Sequence, residues 1–403
     1  MPNLQKTSLK NLKAISLSTF VKLTLLLLIN SQFVNSLEAK QDDVFLTQPF
    51  VKCWSFETNH NTNFNIASDN KADLYLPLLN RKLISISARN GHKHWETDLG
   101  GETISPPLVE SSNVYIAVNQ EMVSNGKLER HKIVIRSLDK LTGVTNWESE
   151  IAETAVNEIE PNVIFYLYTN NISLVLISSK GLVIELEKSN GRILSVGKDD
   201  LLISTIPFFS GDKVIFSASD KIFFTDFPLT SMSIFKSKTE YIRLSSPTTA
   251  ISHSKDLTEH TISWGDKKGF INTINMNSGK QIWKYRIGAE VSNIVQTSVG
   301  LFVTSYDNFT YMLSEKTGEL LWKKRLNGRI IARPFISGKY AVVTAIADTS
   351  ATVIDLTSGK TVNKIILEND NFFIGEGTRI ENLLFYSTVK GIYAFSHKDF
   401  CRE

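Results

Sequence analysis

The stretch "SEKTGELLWKKRL" at residues 314–326 contains a turn sequence, Thr317-Gly318, followed four residues after the glycine by Trp322. An earlier stretch, "NMNSGKQIWKYRI" at residues 275–287, repeats this arrangement with Gly279 and Trp283. A glycine accepts the positive φ of a tight hairpin turn, and an aromatic side chain on the next strand buries a large apolar area. Two copies, with their glycines 39 residues apart, indicate an internal repeat, and a repeat decides the fold.

The glycine and tryptophan unit recurs along most of the chain. Four copies are complete and contain the pairs Gly91 and Trp95, Gly143 and Trp147, Gly279 and Trp283, and Gly318 and Trp322. Two further copies keep only the glycine, Gly191 and Gly359, and have Ser195 and Asn363 at the aromatic position. Successive glycines are separated by 52, 48, 88, 39 and 41 residues, and the interval of 88 is twice 44. We therefore predict one hidden copy, with Phe235 as its aromatic residue.

Two further landmarks support this phase. A proline stands twelve residues after the aromatic position in four copies, at Pro107, Pro207, Pro247 and Pro334, and Pro247 follows Phe235. Counting 41 residues back from Trp95 leads to Trp54, another tryptophan. The aromatic positions from Trp54 onward define seven intervals, and the remaining tail has the length of an eighth.

Each unit contains short runs of β-branched and aromatic residues bounded by Gly, Asn, Asp and Ser, which is typical of strands. Four short strands in each of about eight units predict an all-β fold, an eight-bladed β-propeller of four-stranded antiparallel blades. The segment "VFLTQPFVKCWSF" at residues 44–56 then supplies an outer strand to the blade that contains "LLFYSTV" and "GIYAFS" near the C-terminus. This pairing closes the ring with an N-terminal strand. It also brings Cys53 and Cys401 into one blade, where we hypothesise a disulfide; two unpaired thiols are the alternative.

The N-terminus has the composition of a targeting segment. Four lysines, at positions 6, 10, 13 and 22, precede or flank the apolar run "LTLLLLI" and small residues, so residues 1–36 are predicted to be a secretory signal peptide. An uncleaved membrane anchor is the alternative. Without these lysines the formal net charge changes from +3 to −1, which does not indicate a nucleic-acid-binding surface. Residues 37–403 are then one propeller domain.

The repeated units "LDKLTGVTNW" and "LSEKTGELLW" resemble the repeat of the PQQ-type β-propellers, named for pyrroloquinoline quinone. One branch of that family, the quinoprotein dehydrogenases, holds this quinone and calcium on the central axis, with a disulfide between adjacent cysteines. The chain has no adjacent cysteines. The other branch is similar to BamB, an eight-bladed scaffold of the outer-membrane β-barrel assembly machinery. BamB is usually a lipoprotein, and no cysteine follows the apolar run here.

The BamB resemblance implies an exported, non-catalytic scaffold that binds protein partners, possibly components of outer-membrane β-barrel assembly. It implies a location in the periplasm or on the periplasmic face of the outer membrane, as a monomer within a complex. On this reading the protein has no catalytic residue, cofactor or metal site, binds no nucleic acid and has no transmembrane helix in its mature part. A quinoprotein dehydrogenase and a lumenal sensing or ligand-binding propeller are the alternatives.

Other candidate sites carry weaker signals. His92 and His94 are two residues apart, so on a strand they point to one face; with no third ligand evident, solvated histidines are favoured over a metal site. Gly375 and Gly377 lack a phosphate-binding spacing and predict a turn. His253, Asp256, Glu259 and His260 form a polar cluster that is predicted to be a flexible connecting loop, with a metal site as the alternative. The partner-binding loops are expected in the long units of 52 and 48 residues, away from the repeat motif.

Overall fold

The computed structural model describes residues 45–58, 65–124, 127–151, 163–198, 201–210, 213–226, 240–253, 261–368 and 370–401. The predicted signal peptide and Phe235 of the hidden copy lie outside these residues. In the described part, 33 strands form eight antiparallel sheets, and a short 3-10 helix, Lys398–Phe400, follows the last strand. No helix in the described ranges is long and apolar enough to cross a membrane. The predicted eight-bladed all-β propeller is therefore confirmed.

In blades 1 to 7 the strands follow one another in the chain, from the innermost strand to the outermost. Blade 1 contains β2 (Ala67–Ser68), β3 (Asp73–Leu78), β4 (Lys82–Ser87) and β5 (Lys93–Asp98). Blade 2 contains β6 (Glu102–Thr103) and β7 (Leu108–Val109), which both pair with β8 (Asn113–Ser124), then β9 (Lys127–Asp139) and β10 (Thr145–Ile151). Blade 3 contains β11 (Phe165–Thr169), β12 (Ser173–Ser178), β13 (Leu182–Glu187) and β14 (Ile193–Lys198). Blade 4 contains β15 (Phe208–Ser210), β16 (Lys213–Ala218), β17 (Lys221–Asp226) and β18 (Glu240–Arg243).

The remaining blades have the same order except for the last. Blade 5 contains β19 (Thr248–His253), β20 (Thr261–Asp266), β21 (Phe270–Asn275) and β22 (Gln281–Arg286). Blade 6 contains β23 (Val291–Gln296), β24 (Leu301–Ser305), β25 (Phe309–Leu313) and β26 (Leu320–Arg325). Blade 7 contains β27 (Phe335–Ser337), β28 (Tyr340–Thr344), β29 (Ser350–Asp355) and β30 (Thr361–Ile366). Blade 8 contains β31 (Thr378–Ile380), β32 (Leu383–Thr388) and β33 (Gly391–Ser396), with the N-terminal strand β1 (Val51–Glu57) as its outermost strand.

Apolar packing between neighbouring blades holds the ring together. Eight buried clusters are present in the described residues, one at each of the eight junctions, including the junction between blades 8 and 1. Alternate side chains of one strand serve two junctions: on β8, Ile116 packs toward blade 1 and Tyr115 toward blade 3. This period of two explains why the buried strands read as nearly continuous apolar runs in the sequence.

The repeated tryptophans connect each outermost strand to the next blade. Each donates its indole N–H to a backbone carbonyl in or beside the turn between the third and fourth strands of that blade. The pairs are Trp54 with Ala88 (3.0 Å), Trp95 with Lys140 (2.9 Å), Trp147 with Lys188 (3.1 Å), Trp283 with Glu315 (2.7 Å) and Trp322 with Leu356 (2.7 Å). The glycine of that turn lies under the indole ring. At Gly318 the φ angle is 72°, and an added Cβ would lie 2.5 Å from Trp283. Glycine is therefore needed for conformation and for space.

A β-bulge precedes the aromatic position in seven of the outermost strands described. On β26, Met312 pairs with Trp322 and Leu313 pairs with Leu320, so Leu321 has no partner in the ladder. The equivalent unpaired residues of the other blades are Cys53, His94, Asn146, Leu194, Ile282 and Val362. A bulge changes the direction in which side chains point from an edge strand. Each outermost strand thus directs its tryptophan position to the next blade and presents one extra residue.

At the ring closure, the bulged residue is a cysteine. Strand β1 pairs with β33 from Val51 opposite Ser396 to Glu57 opposite Gly391, as predicted. Cys53 and Cys401 form a disulfide with their Cα atoms 4.8 Å apart, so the structure contains the hypothesised bridge.

In the junctions that have a tryptophan, the turn between the third and fourth strands accepts a hydrogen bond from the preceding blade. At the junction of blades 7 and 8, the segment before β1 takes the place of this turn. Asn363, which takes the place of the tryptophan in blade 7, donates its side-chain N–H groups to the carbonyls of Leu46 (3.1 Å) and Gln48 (2.5 Å). His397 lies 2.5 Å from the carbonyl of Phe45 through Nε2, which donates to it. The apparent loss of the aromatic at Asn363 is therefore an adaptation to the ring closure.

One hairpin extends beyond its blade. Strands β8 and β9 pair from Asn113 opposite Asp139 to Ser124 opposite Lys127, whereas the neighbouring strands pair with them only as far as Asn119 and Ile133. We call residues 120–132 the arm. The arm accounts for the 52-residue spacing between Gly91 and Gly143.

Candidate functional site: the axial cavity

A cavity of about 1570 Å³ lies on the ring axis. Innermost strands of blades 4 to 8 and Tyr166 of β11 contribute to its wall, which places it at the centre of the ring. Polar groups are common in this wall. Gln296 donates to a carboxylate oxygen of Glu315 at 2.5 Å, and Asn293 donates to the carbonyls of Ile331 (3.2 Å) and Ala332 (3.3 Å) in the next blade. A polar, solvent-accessible cavity of this size can hold a ligand or a chain segment.

One structural position recurs around the wall. To find this position, take the third residue of a blade's second strand, go to its partner on the first strand or the bridge before it, and count back two residues. In seven blades the residue found in this way lines the cavity. The seven, from blade 1 and blades 3 to 8, are Asn65, Tyr166, Ile206, Ala250, Ser292, Arg333 and Glu376. Only Arg333 and Glu376 carry a charged group, and they belong to neighbouring blades. The cavity wall is therefore electrically asymmetric at this level.

Glu376 is held in an environment that disfavours its charge. It is half-buried between Gly375 and Gly377, and its backbone N–H donates to Asn65 at 3.2 Å. Burial raises the pKa of its carboxyl to about 7, and the positive charge of Arg333 acts in the opposite direction. The nearby phenol of Tyr386 is fully buried, and both burial and the negative charge of Glu376 raise its pKa. Perturbed acids in a cavity are candidates for functional groups.

The pKa of Glu376 should appear in the pH dependence of stability. The folded state binds this proton more tightly than the unfolded chain, so the stabilisation is complete below pH 4.5 and is lost as pH rises through 7. The expected loss is on the order of 2 to 3 kcal/mol. Urea unfolding of the wild type and of Glu376→Gln at pH 4.5 and pH 8 measures it. The wild type should lose this amount relative to the variant; a constant difference between the two proteins would contradict the assignment.

The residues of the cavity do not fit the calcium site of a quinoprotein dehydrogenase. Calcium takes 6 to 8 oxygen ligands, usually with several carboxylates among them. In the described residues, no group of three or more His, Cys, Asp or Glu side chains is placed to hold a metal ion, and the lining contributes only Glu315 and Glu376 as carboxylates. One wall position carries an arginine instead.

The residues with weaker sequence signals for a site lie in different parts of the ring. His94 is a bulge residue, and its Nε2 lies 3.1 Å from a carboxylate oxygen of Asp73, while His92 is exposed beside the turn. Gly375 and Gly377 line the cavity, where an added Cβ would lie 2.8 Å from Asn65 and 2.6 Å from Tyr386. The side chain of His253 and residues 254–260 lie outside the described structure, so the polar cluster there stays a prediction.

Neither Arg333 nor Glu376 belongs to a motif that predicted a site from the sequence. Arg333 stands directly before the landmark Pro334, and Glu376 directly before Gly377, which takes the place of the proline in the last blade. The position directly before the repeated proline could have indicated these two residues in the sequence. Its meaning became clear only from the strand register, which shows that residues at this position face the ring axis.

Comparison with known families agrees with the repeat and the blade count. The family model described as "Outer membrane protein assembly factor BamB" matches residues 52–196 and 267–364, which is more than half of the chain. The chain belongs to this family. The two matched ranges lie on either side of blade 4, whose repeat motif was hidden in the sequence. The predicted PQQ-like family is confirmed.

Solved structures share the propeller fold with this BamB-family chain at low sequence identity. BamB from Moraxella catarrhalis is 14% identical, with a TM-score of 0.61 over 87% of this chain and 98% of that one. Sqt1 from Saccharomyces cerevisiae is 12% identical, with a TM-score of 0.65 over 86% and 98%. The computationally designed protein Ika8 is 12% identical, with a TM-score of 0.63 over 86% and 99%. No curated protein sequence matches significantly. These likenesses show the fold alone.

Proposed function

We propose that this protein is a non-catalytic scaffold that binds protein partners in the assembly of outer-membrane proteins. The observation that carries the proposal is the match over residues 52–196 and 267–364 to a family described as an outer membrane protein assembly factor. A disulfide between Cys53 and Cys401 supports an exported protein, because such bridges persist in oxidising compartments. The cavity wall, whose described residues do not fit a calcium site, favours a scaffold over a dehydrogenase.

The arm is the element we assign to partner binding. Beyond Asn119 on β8 and Ile133 on β9, neither strand has another partner strand in the described ranges, so both backbone edges of the arm are open. An open edge with unpaired N–H and C=O groups can accept an added strand from another protein. The arm projects from the face that carries the turns between second and third strands.

Site-specific photocrosslinking in the native envelope tests this function. A photoactivatable amino acid at Glu121, an exposed residue of the arm, should capture a component of the outer-membrane barrel assembly machinery, identified by mass spectrometry. The matched control is Leu141, which is 75% exposed in the turn between β9 and β10 on the opposite face. Capture at Glu121 but not at Leu141 supports both the function and the arm.

A second variant separates the arm from the function. Replacing residues 121–131 by Asn-Gly joins Gln120 to Lys132 through a two-residue hairpin turn. The removed residues pair with no other described strand, and Glu121 contributes one exposed ion pair, to Arg81 of blade 1 at 3.2 Å. We expect unchanged thermal stability and loss of the crosslinked partner. If the shortened protein, probed at another exposed position, still captures the assembly component, the assignment of partner binding to the arm is wrong but the proposed function stands. If no probed position captures such a component, the proposed function is wrong.

A further inference from the structure

Three neighbouring blades present a repeated pair of side chains on one face of the ring. In blades 5, 6 and 7 the bulge residue next to the turn between the third and fourth strands is aliphatic, and the turn itself contains an exposed lysine. The six residues are Ile282, Leu321 and Val362 at the bulges and Lys280, Lys316 and Lys360 in the turns. We call this set the turn-face patch. The aliphatic side chains are 46%, 50% and 37% exposed.

The bulge residues of three other blades have partners inside the protein. Cys53 forms the disulfide with Cys401, His94 contacts Asp73 at 3.1 Å, and Asn146 donates to Asn113 at 2.8 Å. In blades 5 to 7 the same position carries an aliphatic side chain that is left in solvent; Leu194 of blade 3 is also 42% exposed, but blade 4 separates it from these three. A bulge that presents an apolar side chain outward on three consecutive blades is not explained by packing within the ring.

The charges of the turns show the same contrast. In blades 2 and 3, turn lysines are neutralised by the preceding blade: Lys140 lies 3.1 Å from Asp69, and Lys188 lies 3.1 Å from Glu110. Within the described part of the chain, the ammonium groups of Lys280, Lys316 and Lys360 have no carboxylate within ion-pair distance. The three lysines therefore keep their positive charge, and the turns that hold them contain one exposed carboxylate, Glu319 of blade 6.

The tryptophan contacts make these three blades one continuous surface. Trp283 of blade 5 packs on the turn of blade 6, and Trp322 of blade 6 packs on the turn of blade 7. All six residues of the patch lie within a few positions of these contacts. The turns between third and fourth strands are at the same end of every blade, and the bulges lie beside them on the outermost strands, so the patch follows the outer margin of one flat face of the disc.

We propose that the turn-face patch binds the surface of an anionic lipid membrane. Lysines attract anionic head groups, and aliphatic side chains beside them enter the boundary between head groups and acyl chains. A planar surface meets the bulges of three blades at once, whereas an extended acidic peptide pairing with one strand edge meets only one. This orientation directs the arm, on the opposite face, away from the lipid. The inference goes beyond the proposed function and does not depend on it.

Vesicle sedimentation tests the proposal with the purified, oxidised protein. We expect binding to vesicles of phosphatidylglycerol and phosphatidylcholine in equal parts, weakening as sodium chloride is added, and little binding to pure phosphatidylcholine. Each lysine near an anionic surface contributes about fivefold in affinity, and the introduced carboxylates add repulsion, so the triple variant K280E, K316E and K360E should bind at least about 100-fold more weakly. The triple variant I282S, L321S and V362S should bind about tenfold more weakly.

Matched controls use the opposite face of the ring. The variant K267E, K268E and R329E changes the net charge equally, and the variant L79S, L202S and I346S removes three exposed aliphatic side chains. Both should bind vesicles like the wild type. Circular dichroism and thermal unfolding confirm that each variant is folded. The proposal is overturned if the wild type does not bind anionic vesicles, or if the variants of both faces lose binding equally.

Discussion

Replacing Trp283 with alanine should lower the free energy of unfolding by about 3 to 5 kcal/mol. This side chain is 7% exposed, packs on the turn of blade 6 and donates its indole N–H to the carbonyl of Glu315 at 2.7 Å. The substitution leaves a cavity between two blades and removes the indole N–H that donates to that carbonyl. Urea unfolding followed by circular dichroism measures the loss.

A pair of glycine variants tests the same contact from the other side. Gly318→Ala places a Cβ against the Trp283 ring and also strains a positive φ, so we expect a loss of at least about 3 kcal/mol. Gly279 has a φ of 64°, but an added Cβ there meets no atom within 4 Å. Gly279→Ala should therefore lose only the backbone term, about 1 to 2 kcal/mol. Equal losses in the two variants would show that the glycines serve conformation alone.

Removing the disulfide should have the second largest effect. The bridge joins residues 348 positions apart, and long loops gain most from cross-linking because the unfolded chain loses most freedom. With strain and residual structure included, the double variant Cys53→Ser and Cys401→Ser should be less stable by about 2 to 5 kcal/mol. In this variant the ring is still closed by the strand pairing of β1 with β33 and by the hydrogen bonds from Asn363 to the segment before β1. We therefore expect a folded protein.

Reductant provides the control for the disulfide. The wild type measured with dithiothreitol should match the double variant, and the double variant should not respond to dithiothreitol. Equal stability of the oxidised wild type and the double variant would mean that the bridge does not constrain the unfolded chain. Dithiothreitol could also lower the stability of the wild type by more than the difference between the oxidised wild type and the double variant. That result would point to an effect of the reductant beyond the bridge.

The blade count and the ring closure could be predicted because both follow from short motifs of neighbouring residues. A turn glycine and an aromatic residue four positions later recur at intervals close to the length of one blade, so counting them counts blades, and Trp54 before the first complete copy indicates the N-terminal closing strand. Where the pattern was degraded, the interpretation needed the structure: Asn363 is not a lost contact but a donor to the segment before β1.

Tertiary structure alone decided which residues face the axis and which face solvent. Arg333 and Glu376 are 43 positions apart, and only the registers of blades 7 and 8 place them on one cavity wall. The bulge before each aromatic position shifts the strand by one residue, so a simple alternation of inward and outward side chains assigns Ile282, Leu321 and Val362 incorrectly. Sequence periodicity reports the number and size of repeating units, because these depend on neighbouring residues. The direction of a given side chain depends on the register and the bulges of strand pairing, which the chain acquires only when the blades fold.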